Sequence, residues 1–443
     1  MKTKAGLAVV LAAAFMGQVD GFVVTVASPV IQRELPASFG QVQLIGAAYV
    51  IAAAAGLITG ARLGDRYGRR RVFLVGVAGF TAASAVCGLA PTAELLIAAR
   101  FAQGAAASLL LPQLLALIRS MFLDETERAR AIGWYGVVIG LGVISGLAGG
   151  GLVTRLDWRL AFLINVPVGV VILALGPKVI AETDRGLTRL DPTGAGLTVL
   201  ALPALVAPLV LGAESGGAVW PWLSVLLGAL TLAVLAVQQR KSSSPLFPPR
   251  VVTAPGTRTG LLAIMAFFGG NAGLFFVFTF HTQAALGVEP FAAGLMFVPL
   301  GIGFAVGSWW GGRLAPRLGG RLPVLGCLGL ATALSAHLLV GQLVPHAQHV
   351  LLAVAIGLTG LAQGLVVSSL VTSLFGRVSV ADAGTVSGLA ATATQVGLAT
   401  GYAAVGAWYR LVLGAAPGQA YSAAMAVLIV LALGTAALCH RRR

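Results

Sequence analysis

GARLGDRYGRRRVFLVG, residues 60–76, sets five arginines and one aspartate between two apolar runs. That density stands out because only 10% of the 443 residues are charged, while 58% are hydrophobic and the mean hydropathy is +0.94. Ordinary soluble domains are about 45–50% apolar and about 25% charged, so the chain falls in the integral-membrane class. A net charge of +15 would also suit a nucleic-acid partner. In a membrane chain the arginine knot has a simpler reading, a water-facing loop between two spans, and no nucleic acid is expected.

Working outward from that loop, apolar runs long enough for a bilayer core, about 20 residues each, fall at 5–31, 41–62, 72–90, 94–118, 130–153 and 160–181. Two more lie at 195–213 and 219–238, and six again at 259–286, 291–313, 322–343, 349–374, 382–409 and 421–439. They are numbered spans 1 to 14 in chain order. The first run continues past Asp20 to Ile31, too long for the apolar stretch of a cleavable leader. The pattern predicts an all-α integral membrane protein. Residues 1–190 and 259–443 each form a six-helix bundle, 191–240 hold two inserted helices, and 241–258 form a cytoplasmic linker.

An even number of spans puts both termini on one side. With the termini inside, every basic residue except Arg33, Arg100, Arg155, Arg159 and Arg410 lies on the cytoplasmic face. This is the asymmetry of the positive-inside rule. A strong preference for Arg over Lys fits a GC-rich bacterial genome, and the expected location is the bacterial cytoplasmic membrane. Cys87, Cys327 and Cys439 are scattered and imply no disulfide framework. His346 and His349 form an i, i+3 pair without the further ligands a metal needs, so no metal site is expected.

The chain also repeats itself. Arg62, Leu63, Arg66, Gly68 and Arg70 return in the same register as Arg313, Leu314, Arg317, Gly319 and Arg321, and Ala102-Gln103-Gly104 returns as Ala362-Gln363-Gly364. Two duplicated halves of this kind are how many secondary transporters build a site that alternates between membrane faces.

The opening stretch, GARLGDRYGRRR at 60–71, resembles the loop between helices 2 and 3 of the major facilitator superfamily. Other segments are similar to its fourteen-spanner drug/proton antiporter family. VDGFVVTVASPVIQREL (19–35) resembles that family's helix 1 signature at Asp20 and Pro29, with Phe22, Thr25 and Ser28 where Thr, Asn and Leu are usual. AARFAQGAAASLLLP (98–112) resembles the superfamily's Arg and Gln-Gly pattern in helix 4. GLAGGGLVTRLDWRLAFLINVPVG (146–169), LDPTGAGL (190–197) and GVEPFAAGLMFVPLG (287–301) are similar to the family's helix 5–6 junction, the lead into its two extra helices and the start of its helix 10. One departure is Ser145-Gly146, where the antiporters carry Gly-Pro. The resemblance covers essentially the whole chain. It implies the major facilitator fold, with two pseudo-symmetric six-helix bundles plus two inserted helices.

Candidate residues follow from chemistry first. Asp20 is the one acid placed deep inside a span, and an ionisable residue there is functional by default. Arg100 lies roughly two turns inside the outer end of span 4, where a permanent charge needs a partner or a wet cavity. The resemblance implies a part for this arginine in proton coupling, so Arg100 is expected to pair with Asp20 in one state and retreat in the other. The plainer alternatives are a structural Asp20 bonded to a neighbouring helix and an Arg100 that snorkels outward.

Gly64, Asp65, Arg66, Gly68, Arg69 and Arg70 read as a cytoplasmic gate latch. The resemblance points Asp65 at a helix N-terminus near Ala381–Gly384, where the macrodipole favours an anion; the alternative is a loop that orients the protein by charge alone. Gly142, Gly146 and Gly150 in span 5, and Gly303, Gly307 and Gly311 in span 10, form stripes that admit close backbone approach. By resemblance these would meet between the two halves. Aromatic faces with a few polar groups suit lipophilic ligands, so Phe275, Phe278, Asn271, His281, Gln103 and Gln113 are the expected substrate cavity, against a bland reading of the phenylalanines as lipid-facing bulk.

The sequence therefore reads as a proton-coupled secondary transporter, not an enzyme. It is expected to export hydrophobic or amphipathic small molecules by alternating access, as a monomer in the lipid bilayer. No Gly-rich phosphate loop with Lys and Ser/Thr is present. No cofactor is expected, and the proton gradient supplies the energy. A narrow importer or uniporter of a small metabolite would use the same fold, and a non-transporting receptor or assembly protein is the remaining rival.

Overall fold

A chain crossing a bilayer must satisfy its backbone hydrogen bonds internally, which leaves helices or closed barrels. The computed structural model describes residues 2–182, 189–212, 218–343, 348–375 and 383–440, and these are helical with no strand among them. Thirteen of the helices are long and apolar enough to cross a membrane, each at one of the predicted spans. Span 13 is a 33-residue helix, Ala383–Ala415, in which Thr, Gly, Gln and Arg410 interrupt the apolar run.

The helices start and stop where local chemistry directs. Span 2 (Phe39–Tyr67) opens on a capping box in which Ser38 Oγ accepts from Gln41 N–H at 3.1 Å and Ser38 N–H donates to Gln41 Oε1 at 2.8 Å. Thr92 caps span 4 (Ala93–Met121) and Asp124 caps span 5, each supplying a side-chain oxygen to an orphan N–H. Span 5 (Glu125–Ile144) passes through a π-helical turn at Ser145–Gly149 before resuming at Gly150–Leu156. The turn thus begins at Ser145-Gly146, the pair that departs from the family pattern. Span 9 (Pro255–Phe280) ends in a second π turn, His281–Ala285. Such turns are frequent at functional sites.

The helices fall into two compact units, the first containing spans 1 to 8 and the second spans 9 to 14. Both follow one packing scheme. In the first unit span 4 packs on spans 2 and 3, while span 1 packs on spans 5 and 6 and span 3 on span 6. In the second unit span 12 packs on spans 10 and 11, while span 9 packs on spans 13 and 14 and span 11 on span 14. The repeat seen in the sequence is thus a repeat of helix neighbours. The inserted pair, Pro192–Leu211 and Trp220–Lys241, packs on itself and, through span 7, on span 2.

The glycine stripes act differently from expectation. A Cβ on Gly146 would lie 2.8 Å from Phe22 Cβ and 2.9 Å from Val19 O, and one on Gly150 would lie 2.9 Å from Val23 Cγ2. Gly142 faces Gln18. Gly303 and Gly307 face the backbone carbonyls of Gly357 and Leu361, and Gly311 faces the Ser368 hydroxyl. Both stripes are therefore used inside their own units, against span 1 and span 12. A stripe of small residues specifies close approach without specifying the partner.

Candidate functional site

Five spans of the first unit bring polar groups to one buried point. Asp20 projects from the middle of span 1 (Lys2–Glu34) and is 0% exposed; Arg100 from span 4 is 1% exposed. Arg100 Nη1 meets Asp20 Oδ2 at 2.6 Å. The other carboxylate oxygen, Oδ1, accepts from Gln103 Nε2 at 2.8 Å and from Asn165 Nδ2 at 2.9 Å. Asp20 is therefore held as an anion by one cation and two amide donors, the arrangement that a charge in low dielectric requires.

The cation is equally enclosed. Arg100 Nη1 also donates to Gln103 Oε1 at 2.6 Å, and its Nε donates to Ile45 O at 3.2 Å. Its guanidinium lies 4.4 Å from the Tyr49 ring centroid and 5.6 Å from that of Phe162. Ser84 on span 3 (Arg69–Gly88) accepts from Gln103 Nε2 at 2.8 Å and from Asn165 Nδ2 at 3.4 Å. The network is closed, and removing one partner of such a buried pair costs about 3–5 kcal/mol. Its conformational consequence is that spans 1, 2, 3, 4 and 6 are tied through one carboxylate.

Sequence reading found the pair but not its whole setting. Asn165 sits in the quoted Phe-Leu-Ile-Asn-Val-Pro run and was the available signal; Ser84 and Tyr49 carried none, because small hydroxyls and single aromatics are common in spans. Gln103 belongs to this network rather than to a substrate cavity. Gln113 is also displaced from the expected cavity: its Nε2 donates to Gly60 O at 2.8 Å and Leu109 O at 3.1 Å, strapping span 4 to span 2. Asn271 lines a narrow cleft with Phe267, Gln363 and Thr435, whose cavity volume is only about 10 Å³. Phe275 and Phe278 are buried against Phe297, with ring centroids 5.7 and 5.0 Å away. His281 stacks on Tyr421 at 3.9 Å. Of the six residues expected around one cavity, Phe275 and Phe278 share Phe297, while Gln103, Gln113, Asn271 and His281 each meet different partners.

The arginine loop between spans 2 and 3 is bolted to the end of span 6 (Leu160–Leu163 and Asn165–Val179). Arg70 N–H donates to Glu182 Oε1 at 3.1 Å and its Nη1 to Ile180 O at 3.1 Å, while Arg71 Nε lies 3.5 Å from Glu182 Oε2. Gly68 has φ 100°, a conformation that disfavours other residues, and a Cβ there would lie 2.6 Å from Glu182 Oε1. Asp65 pairs with Arg69 at 2.8 Å, Arg66 lies over the Tyr67 ring, and Gly64 faces the Gln113 amide. The side chains expected opposite Asp65, near Ala381–Gly384, lie outside the described residues, as do those of His346 and His349.

The sequence model of the Major Facilitator Superfamily matches residues 10–402. The chain is 33% identical over 422 residues to a probable actinorhodin transporter of Streptomyces coelicolor, covering 93% of this chain and 73% of that one. It is 37% identical over 409 residues to a puromycin resistance protein of Streptomyces alboniger, covering 90% and 80%. A multidrug resistance protein of Mycobacterium tuberculosis is 31% identical over 398 residues, covering 88% and 73%. Among solved structures, a peptide transporter superposes with TM-score 0.72 at 15% identity over 99% of this chain and 94% of its own. A D-xylose–proton symporter does so with TM-score 0.68 at 16% identity over 98% and 97%. At those identities the structural likeness shows fold alone.

Proposed function

The chain belongs to the Major Facilitator Superfamily, and from that premise we propose that it is a proton-driven exporter of hydrophobic or amphipathic antibiotic-like molecules. The single observation that carries the proton half of this reading is the Asp20–Arg100 network, 2.6 Å across and sealed from solvent. The export half is supported by relatives described as antibiotic transporters and resistance proteins, at 31–37% identity across most of the chain.

A proton arriving at Asp20 removes the charge that holds Arg100. The neutral carboxyl keeps its amide partners, Gln103 and Asn165, but no longer attracts the guanidinium, which retains Ile45 O and Gln103 Oε1. Spans 1 and 4 are then joined at this point only by the neutral Gln103 bond, and they separate more readily. Inverting a two-state equilibrium from 1:99 to 99:1 takes about 5.5 kcal/mol, and an ion pair with a removal cost of about 3–5 kcal/mol supplies most of that. Protonation from the acidic outside drives substrate release, and deprotonation inside rebuilds the pair and readies the next cycle. The protein works as a monomer in the bacterial cytoplasmic membrane with both termini inside, and uses the proton gradient without a further cofactor.

Ethidium accumulation in cells expressing the chain tests this, with and without a protonophore, beside Asp20→Asn. Low accumulation that rises with the protonophore and in the variant is the expected result. Export that survives Asp20→Asn would remove Asp20 from the coupling mechanism, and accumulation equal to that of empty cells would remove ethidium-type efflux.

A further inference from the structure

A histidine that the mechanism above does not use lies at the centre of the second unit. His337, on span 11 (Leu322–Leu343), is 0% exposed. Its Nδ1 lies 2.9 Å from the hydroxyl of Tyr421 on span 14 (Ala420–His440), and its Nε2 lies 3.3 Å from the hydroxyl of Thr359 on span 12 (Gln348–Phe375). The Thr359 hydroxyl donates its own proton to Ala355 O at 2.9 Å, so its oxygen is the acceptor for His337 Nε2–H. Nδ1 then accepts from the Tyr421 hydroxyl. The neutral imidazole is fully satisfied in one tautomer.

This cluster repeats the placement of the Asp20 network. The first unit assembles its network from spans 1, 3, 4 and 6, with Ile45 and Tyr49 of span 2 at its edge. The second unit uses their counterparts in the repeat, spans 9, 11, 12 and 14, with His281 of span 9 stacked on the Tyr421 ring at 15°. Ser84, in the helix that starts at Arg69, and His337, in the helix that starts at Leu322, stand at the same place along their spans. Arg100 has no counterpart: the Ala-Gln-Gly repeat sets Gly360 in its place. Where the first unit buries a charged pair, the second buries an uncharged titratable one.

Resting on the proton-coupled reading, we propose that His337 is a second proton-binding site of the transport cycle, loaded when its contact with Tyr421 opens. The proton goes onto Nδ1. The Tyr421 hydroxyl then turns its hydrogen away and accepts from the imidazolium, while Nε2–H still donates to Thr359. The titratable groups facing this site are Tyr421 of span 14, with Tyr409 of span 13 beyond it, and His281 of span 9. Spans 11, 12 and 14 carry no Asp, Glu, Lys or Arg, and Arg258, Arg313 and Arg317 lie at the cytoplasmic ends of spans 9 and 10. Among the described residues no carboxylate is seen to act on His337 and hold the proton once it arrives, so the site releases it when the Tyr421 hydroxyl turns back to donate to Nδ1.

The test uses the full chain in proteoliposomes, with the membrane voltage held at zero by valinomycin and equal potassium. The steady ethidium ratio is read against an imposed pH gradient, and its logarithmic slope is the number of protons exchanged per ethidium. His337→Gln keeps an acceptor for Tyr421 and a donor for Thr359 but cannot take up the proton, so the slope is expected to fall by a whole proton. Equal slopes would overturn the proposal. If the wild-type chain moves no ethidium, the efflux reading falls separately and imidazole NMR in nanodiscs decides the matter. The signal lost in His337→Gln is expected to change as pH is lowered from about 8 to about 4, an interval that covers and extends below the range in which histidine ordinarily switches, and its midpoint to be displaced in Tyr421→Phe. A signal fixed across that interval, or unmoved by Tyr421→Phe, would overturn the second site.

Discussion

At the scale of single residues, the Asp20 network distinguishes substitutions by geometry more than by charge. Arg100 uses two separate nitrogens, Nε on Ile45 O and Nη1 on Asp20 and Gln103. A lysine offers one compact head and cannot reproduce that fork. Arg100→Lys is therefore expected to lose at least about tenfold in protonophore-sensitive ethidium export, a barrier change of about 1.4 kcal/mol, at an unchanged membrane level by immunoblot. Asn165→Ala removes one of the two amide donors to Asp20 and leaves a buried lone pair, at a cost of about 1–3 kcal/mol; a partial loss in the same assay is expected. Asp20 and Arg100 were legible in the sequence because a charge inside an apolar run is rare. Asn165, Ser84 and Tyr49 were not, because their role exists only once five helices meet. His337 was invisible for the same reason: a lone histidine in a span has no spacing signature, and its partners come from two other helices.

At the scale of elements, two junctions set the helices in place. Gly68 joins spans 2 and 3 with a φ that an alanine would strain by about 1–3 kcal/mol, and an added Cβ would also meet Glu182. Gly68→Ala is expected to lower the melting temperature in detergent, and Glu182→Ala to restore only the part due to contact. The second junction is the cap of span 7. Asp191 accepts from Gly194 N–H at 2.9 Å, Gln238 Nε2 at 2.8 Å and Gln239 Nε2 at 2.7 Å, closing the inserted pair at one end. Burial pushes the Asp191 pKa up, but the hydrogen bonds from Gly194, Gln239, Gln238 and Leu246 outweigh it and hold the carboxyl below its ordinary value. A depressed carboxyl lends stability that is present above the unfolded value, about 3.9, and is lost as pH falls through the folded one. The melting gap between wild type and Asp191→Ala should accordingly be constant near neutrality and close on acidification below about pH 4. Apolar run lengths made the spans legible, whereas the partners of the glycine stripes were not, since small residues record a close approach and say nothing of which helix makes it.

At the scale of the whole molecule, the distribution of basic residues predicts the orientation of a chain built from one packing scheme used twice. Green fluorescent protein fused after Arg443 should fluoresce and alkaline phosphatase at the same point should be inactive; the reverse pattern would overturn cytoplasmic termini. The inserted pair belongs to the first unit and packs on span 2, so it supplies that unit with a helix layer the second lacks. The connection leaving it is held by Arg62 of the opening loop, whose Nη1 and Nη2 donate to Ser244 O at 2.7 Å and Pro245 O at 2.5 Å. Both acceptors are main-chain carbonyls, which every amino acid carries. The arginine therefore recognises the path of this connection and not its spelling, and descendants of this chain can rewrite exposed side chains of SSSPLF at 242–247, such as Ser243, while inheriting the same attachment and the buried Leu246.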